Sequence, residues 1–173
     1  MRQELTTDSV DRYIEAPPEV LYDLISDVTR TPERTPDVVS CEWLDGATGP
    51  AVGARFKSVN RQGRGPNWSN KPVVTVADPG KEFSFTRTEP FAGTILWRHR
   101  FVAEGTGTRM YESYEVVAPI RLMGWFIMGT VYGLKDRRGD LHRSMIDSME
   151  RVAQLVEAAP AHPPAHGDAA APS

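Results

Sequence analysis

From Val38 to Val117 the chain runs in short stretches of alternating apolar and polar residues, and turn signals separate them at Asp45-Gly46, Gly63 to Pro66, Asp78-Pro79-Gly80, Glu89 to Gly93 and Gly105 to Gly107. A period of two places successive side chains on opposite faces of an extended strand, and Gly, Pro and Asp-Gly reverse the chain within a few residues. The block therefore predicts six strands, near Val38 to Leu44, Ala54 to Arg61, Trp68 to Ala77, Glu82 to Thr88, Thr94 to Ala103 and Thr108 to Val117. Their short connections make them an antiparallel meander.

The flanks behave differently. Ser9 to Ala16 alternates and predicts one more strand, after which Pro17 and Pro18 open a short helix carrying Val20, Leu21, Leu24 and Ile25 at helical spacing. Pro32 and Pro36 break the next segment and leave room for a helical turn or two. Beyond Pro119 the period is helical again, with Leu134, Leu141, Met145, Met149, Val152 and Val156 on one stripe. Gly139 weakens that helix by roughly 1 kcal/mol relative to Ala, and the helix is expected from Leu134 onward.

Segregated strands and helices predict an α+β fold. It is a seven-stranded curved antiparallel sheet wrapped around a long C-terminal helix, with two short helices after the first strand. A single helix of about 10–12 Å diameter cannot fill the concave face of such a sheet from end to end. A cavity between sheet and helix is expected.

Composition narrows the partners. In 173 residues, 40% hydrophobic content supplies one core, and a formal charge of -3 provides no net positive field for nucleic acid. The expected organisation is an N-terminal arm over 1–8, a ligand-binding domain over 9–158 and a disordered Pro/Ala tail over 159–173. His162 and His166 fall in that tail and lack fixed geometry, so no metal and no cofactor are expected. Cys41 is the single cysteine and is expected to be a small buried apolar residue, not a nucleophile. The first residues, with Arg2, Glu4 and Asp8, lack the apolar run of a secretion signal, and the Leu122 to Leu134 stretch is shorter than the roughly 20 residues that span a bilayer. A cytoplasmic location is expected.

Several strings resemble a known family. They are Ala16 to Val28 (APPEVLYDLISDV), Gly53-Ala54-Arg55-Phe56 followed by Asn60-Arg61, the strand bearing Trp68, Asp78-Pro79-Gly80, and Trp97-Arg98-His99. Together with the order of elements, they are similar to the helix-grip superfamily SRPBCC, which includes START lipid-transfer domains, birch-pollen-allergen-like proteins and polyketide cyclases. The likeness is greatest to actinobacterial polyketide cyclase/dehydrase and lipid transport members and spans about residues 7 to 158. It implies a pocket for a hydrophobic small molecule and leaves catalysis open.

Alternation sets the expected pocket wall: Phe56 and Asn60 on one strand, Trp68 and Asn70 on the next, then Phe83, Phe85 and Arg87, then Trp97 and His99, and last Met110, Glu112 and Tyr114. Apolar rings with a few polar atoms remove a ligand from water and orient it. Covering about 200 to 300 Å² of ligand at about 25 cal/mol per Å² offers roughly 5 to 8 kcal/mol before association costs. His99 and Glu112 fall on adjacent strands and make a candidate acid/base pair, with Tyr111 or Tyr114 as a further donor and Arg87 polarising an oxygen. The competing reading is a buried pair that satisfies itself or merely orients the ligand.

Three functions follow. The leading one is binding or carriage of a lipid or polyketide-like molecule. The second is a polyketide cyclase, aromatase or dehydratase using His99 and Glu112. The third is a protein-interaction module through the apolar Leu122 to Leu134 patch, which also suits a transient membrane contact or a homodimer.

Overall fold

The computed structural model describes residues 5–61, 63, 65–89, 93–133 and 136–158. The start of the expected arm, Leu134, and the expected tail with His162 and His166 lie outside the described residues.

Strand β1 (Thr7–Ile14) leads into α1 (Pro18–Ser26), a 3-10 turn (Val28–Arg30) and α2 (Thr31–Arg34). The prolines act as expected: Pro17 precedes α1, and a proline stands in the first turn of both helices, where a missing N–H costs nothing. Strands β2 (Val38–Trp43), β3 (Phe56–Asn60), β4 (Trp68–Asn70), β5 (Val73–Asp78), β6 (Glu82–Glu89), β7 (Gly93–Glu104) and β8 (Gly107–Ala118) follow. Helices α3 (Leu122–Thr130) and α4 (Arg137–Glu157) close the described chain.

The α+β class and the long terminal helix are as expected, and the strand count is corrected. Eight strands form a five-stranded antiparallel sheet ordered β1-β8-β7-β6-β5 and a three-stranded sheet ordered β2-β3-β4, in place of one seven-stranded sheet. The expected strand from Trp68 to Ala77 splits at Lys71-Pro72. Pro72 has no N–H for a ladder, and its carbonyl instead accepts from the Phe56 N–H at 3.2 Å. The sheets stay joined there, because Gly53 N–H donates to the Val74 carbonyl and Val74 N–H to the Ala54 carbonyl, both at 2.9 Å. The break therefore bends the layer without opening it.

Gly93 shows how closely the far end is built. It sits at φ +80°, and a Cβ there would strike the Ala118 carbonyl, so only glycine fits between the start of β7 and the end of β8.

Two apolar clusters hold the layers together. One joins α1 to β3, β6, β7, β8 and the C-terminal half of α4 through Leu21, Ile25, Phe56, Phe83, Phe101, Met110, Met149 and Val152. The other joins β7 and β8 to the N-terminal half of α4 through Ile95, Tyr114, Leu141 and Met145. Helix α4 begins at Arg137, later than expected, because the Asp136 side chain caps it by accepting from Gly139 N–H at 3.0 Å. Gly139 thus belongs to the capped first turn and does not interrupt the helix.

The apolar segment after Pro119 is divided in its role. Trp125 and Met128 pack on the second cluster, while Leu122, Met123 and Phe126 are exposed. Among the described residues, no helix is long and apolar enough to cross a membrane.

Candidate functional site

Between the two clusters, α4 presents Ser144 and Ser148 toward the sheet, and these short side chains leave space that a leucine stripe would close. The result is a cavity of about 90 Å³ bounded by β2, β3, β4, β6, β7 and β8, the 3-10 turn with α2, and α4. Asp37 and Ser144 line both this cavity and an adjoining surface groove with Asp140, Arg143 and Asp147, so the mouth opens between the segment leading into β2 and the first half of α4.

The structure brings most of the expected wall together: Phe56, Asn60, Trp68, Asn70, Phe85, Arg87, Trp97, His99 and Glu112 all line the cavity. Three expected residues do not. Phe83 and Met110 are filled over by the first cluster, and Tyr114 is covered by Leu141 and Met145 in the second. Their strand parity was read correctly, but α1 and α4 press on those stretches of the inner face and seal them. Parity says which face a side chain takes and nothing about what covers it.

The wall is aromatic along one side. Phe56 meets Phe85 edge-on with centroids 5.3 Å apart, Phe85 stacks on the His99 ring at 6.2 Å, and Trp97 tilts against Tyr114 at 5.6 Å. The Arg87 guanidinium lies 5.4 Å from the Trp68 ring centroid, an attractive cation–π placement.

The polar residues gather deeper. His99 and Glu112 face each other across β7 and β8 with Nε2 and Oε1 3.6 Å apart, both almost fully buried. That separation exceeds a hydrogen bond, so the contact is electrostatic. The Phe83 carbonyl, 3.4 Å from His99 Nδ1, can only accept, which puts a proton on Nδ1. The second carboxyl oxygen, Glu112 Oε2, is buried without a partner. The pair can hold or deliver one proton at the cavity wall.

Sequence reasoning missed Arg34. It projects from α2 into the wall, 4% exposed, and its Nη2 donates to the Ile25 carbonyl at 3.2 Å and Thr31 Oγ1 at 3.3 Å. Burial pushes its pKa down, while the charge of Glu112 acts the other way. Nothing in the sequence singles out an arginine in a four-residue helix. Arg137, Leu141, Ser144, Met145 and Ser148 were also missed, although serines at i, i+4 on the apolar stripe of α4 were a readable sign.

Cys41 lines the cavity beside Ser58 and Thr31, and burial pushes its thiol up, partly offset by hydrogen bonds from those two residues. A raised thiol is a poor nucleophile at neutral pH. Among the described residues, no three His, Cys, Asp or Glu side chains gather to hold a metal ion.

Comparison with known proteins agrees with this architecture. The family model described as polyketide cyclase / dehydrase and lipid transport matches residues 6–157, which bears out the resemblance read from the sequence. None of the curated proteins matches. Among solved structures, a polyketide cyclase-like protein from Corynebacterium glutamicum shares 26% identity over 87% of this chain and 91% of its own, with a TM-score of 0.53. A Chromobacterium violaceum protein superposes with a TM-score of 0.66 at 17% identity, covering 88% of this chain and 99% of its own. The di-domain ARO/CYC StfQ of the steffimycin biosynthetic pathway reaches a TM-score of 0.68 at 14% identity over 88% of this chain. This chain spans 50% of StfQ.

Proposed function

The chain belongs to the polyketide cyclase/dehydrase and lipid transport family, and on that footing we propose that it binds and carries an apolar small molecule bearing oxygen groups, a lipid or polyketide-like compound, between the sheets and α4. The observation that carries this reading is a cavity walled by Phe56, Phe85, Trp68 and Trp97 whose depth holds buried polar atoms without partners, Glu112 Oε2 and Arg34 Nε. Each such atom costs about 1–3 kcal/mol, and a ligand oxygen placed there recovers it. A solid core gains nothing from that arrangement. The cytoplasm, where a lone thiol stays reduced, is the compartment we propose.

Native mass spectrometry of the purified protein tests the reading: a retained small-molecule mass, released on denaturation, is expected. In its absence, titration with an apolar dye followed through Trp68 and Trp97 should show saturable binding. Neither adduct nor saturable binding would remove the carrier reading.

A second reading, catalysis, is favoured by one feature, the His99–Glu112 pair on the cavity wall. Ring closure of a poly-β-ketone needs a proton taken from a carbon beside one carbonyl and a proton given to another oxygen, and a one-proton pair serves both. The expected signature is product formation that His99→Ala and Glu112→Gln abolish while binding survives. Unchanged turnover in those variants would end this reading.

A further inference from the structure

We propose that the molecule bound in this cavity is an anionic amphipath, an apolar body ending in a carboxylate, and that Arg34 is the residue that selects it. The inference rests on the cavity being a ligand chamber and specifies the charge of what enters.

The argument begins with the cost of burying a guanidinium. Arg34 is 4% exposed and lines the cavity, yet its hydrogen bonds go to neutral oxygens, the Ile25 carbonyl and Thr31 Oγ1, and Nε has none. No described carboxylate forms an ion pair with it. A buried charge is normally paired, because water no longer solvates it. Glu112, the carboxylate nearest in influence, is turned to His99 at 3.6 Å. The described residues thus supply the cation and the apolar wall but no direct counter-charge.

The surroundings agree. The cavity wall includes three guanidinium groups, Arg34, Arg87 and Arg137, and two carboxylates, Asp37 and Glu112. That local excess of positive charge stands in a chain whose formal charge is -3. A carboxylate meets a guanidinium fork through two parallel N–H···O bonds, which an alcohol cannot imitate. A buried guanidinium facing an aromatic chamber therefore discriminates by headgroup, while the rings accept a range of apolar bodies.

Octanoate and 1-octanol, equal in chain length, are the probes. Calorimetric titration of the full chain is expected to give octanoate an affinity at least about tenfold above 1-octanol. Arg34→Met, which fills the same space, should bring the two within about threefold by weakening octanoate alone. Arg34→Lys should keep a reduced preference, since it retains charge and loses the fork. Equal binding of the two probes by the unaltered protein, or an undiminished preference in Arg34→Met, would overturn the proposal. If 1-octanol binds and octanoate does not, the chamber stands and the anion does not. If neither binds and an apolar dye also fails, the ligand-chamber reading falls with it. Should Arg34→Met not fold, the comparison of probes on the unaltered protein and on Arg34→Lys decides alone.

Discussion

Ser148 offers a direct measure of how far the cavity wall is built for a guest at the expense of stability. It lies on α4, 2% exposed, and its Oγ has no hydrogen-bond partner, not even the carbonyl one turn earlier that helical serines often use. Removing the hydroxyl in Ser148→Ala deletes an unsatisfied buried group worth about 1–3 kcal/mol. It also exchanges serine for the best helix former, a gain of a few tenths of a kcal/mol. A net stabilisation of about 1.5 kcal/mol is expected, and at roughly 2–4 °C per kcal/mol for a domain of this size the melting temperature should rise by about 3–6 °C. Thermal unfolding followed by circular dichroism, with urea unfolding as a check on the free energy, reads this out. Ligand-loaded protein should gain less, since a guest that engages the hydroxyl removes the penalty beforehand. A melting temperature that falls by more than a degree would show the hydroxyl satisfied, and the account of this wall as polar and waiting would be wrong.

Three further outcomes follow from the same packing. Phe83→Ala empties the first cluster at a residue with no exposure and should cost about 3–5 kcal/mol, whereas Phe85→Ala, at the cavity edge, should cost less and enlarge the chamber; equal losses by urea unfolding would contradict the division between sealed core and cavity wall. Cys41, with its thiol pushed up by burial, should react with a disulfide reagent at pH 8 several-fold more slowly than a free thiol, and a bound guest should slow it further. Tyr114 is also pushed up by loss of solvent, so the unfolded chain releases its proton first as pH rises. Stability is then fully kept below the ordinary tyrosine range and falls as pH climbs through about 10. Tyr114→Phe should flatten that alkaline limb, as measured by unfolding midpoints from pH 8 to 11.

How much of this was legible in the chain depends on which physical rule governs each feature. Period-two alternation is local, so β1 to β3, β6 to β8 and the His99–Glu112 partnership followed from it, and the register pairs those two residues directly. The α1 start was legible because Pro17 and Pro18 leave few alternatives. The split of Trp68 to Ala77 is hidden by alternation that continues across Pro72, although a proline inside a strand marks an edge or a break. Depth was hidden as well. Phe83 and Phe85 share a parity, yet one is sealed beneath the first cluster and the other lines the cavity, because the positions of α1 and α4 over the sheet are non-local facts. Arg34 was invisible for the same reason, since a charged residue in a four-residue helix reads as surface until the fold encloses it.

The site and the seam between the sheets have one origin. If Trp68 to Ala77 ran as a single strand, β4 would continue the five-stranded ladder, and Trp68 and Asn70 would lie along its edge. Pro72 denies that ladder an N–H, so β4 turns onto β3, while the Pro72 carbonyl and the Val74 amide keep the two sheets bonded. The turn brings Trp68 and Asn70 round to face Phe85 and Arg87 across the cavity, and it leaves α2, which precedes the smaller sheet, to supply Arg34 to the same wall. Helix α4 then bridges both clusters but meets the cavity with Ser144 and Ser148, where larger apolar side chains would have packed the space shut. The same two devices, a proline that bends the layer and short polar residues on the covering helix, therefore give the fold its hollow and set a buried cation beside it.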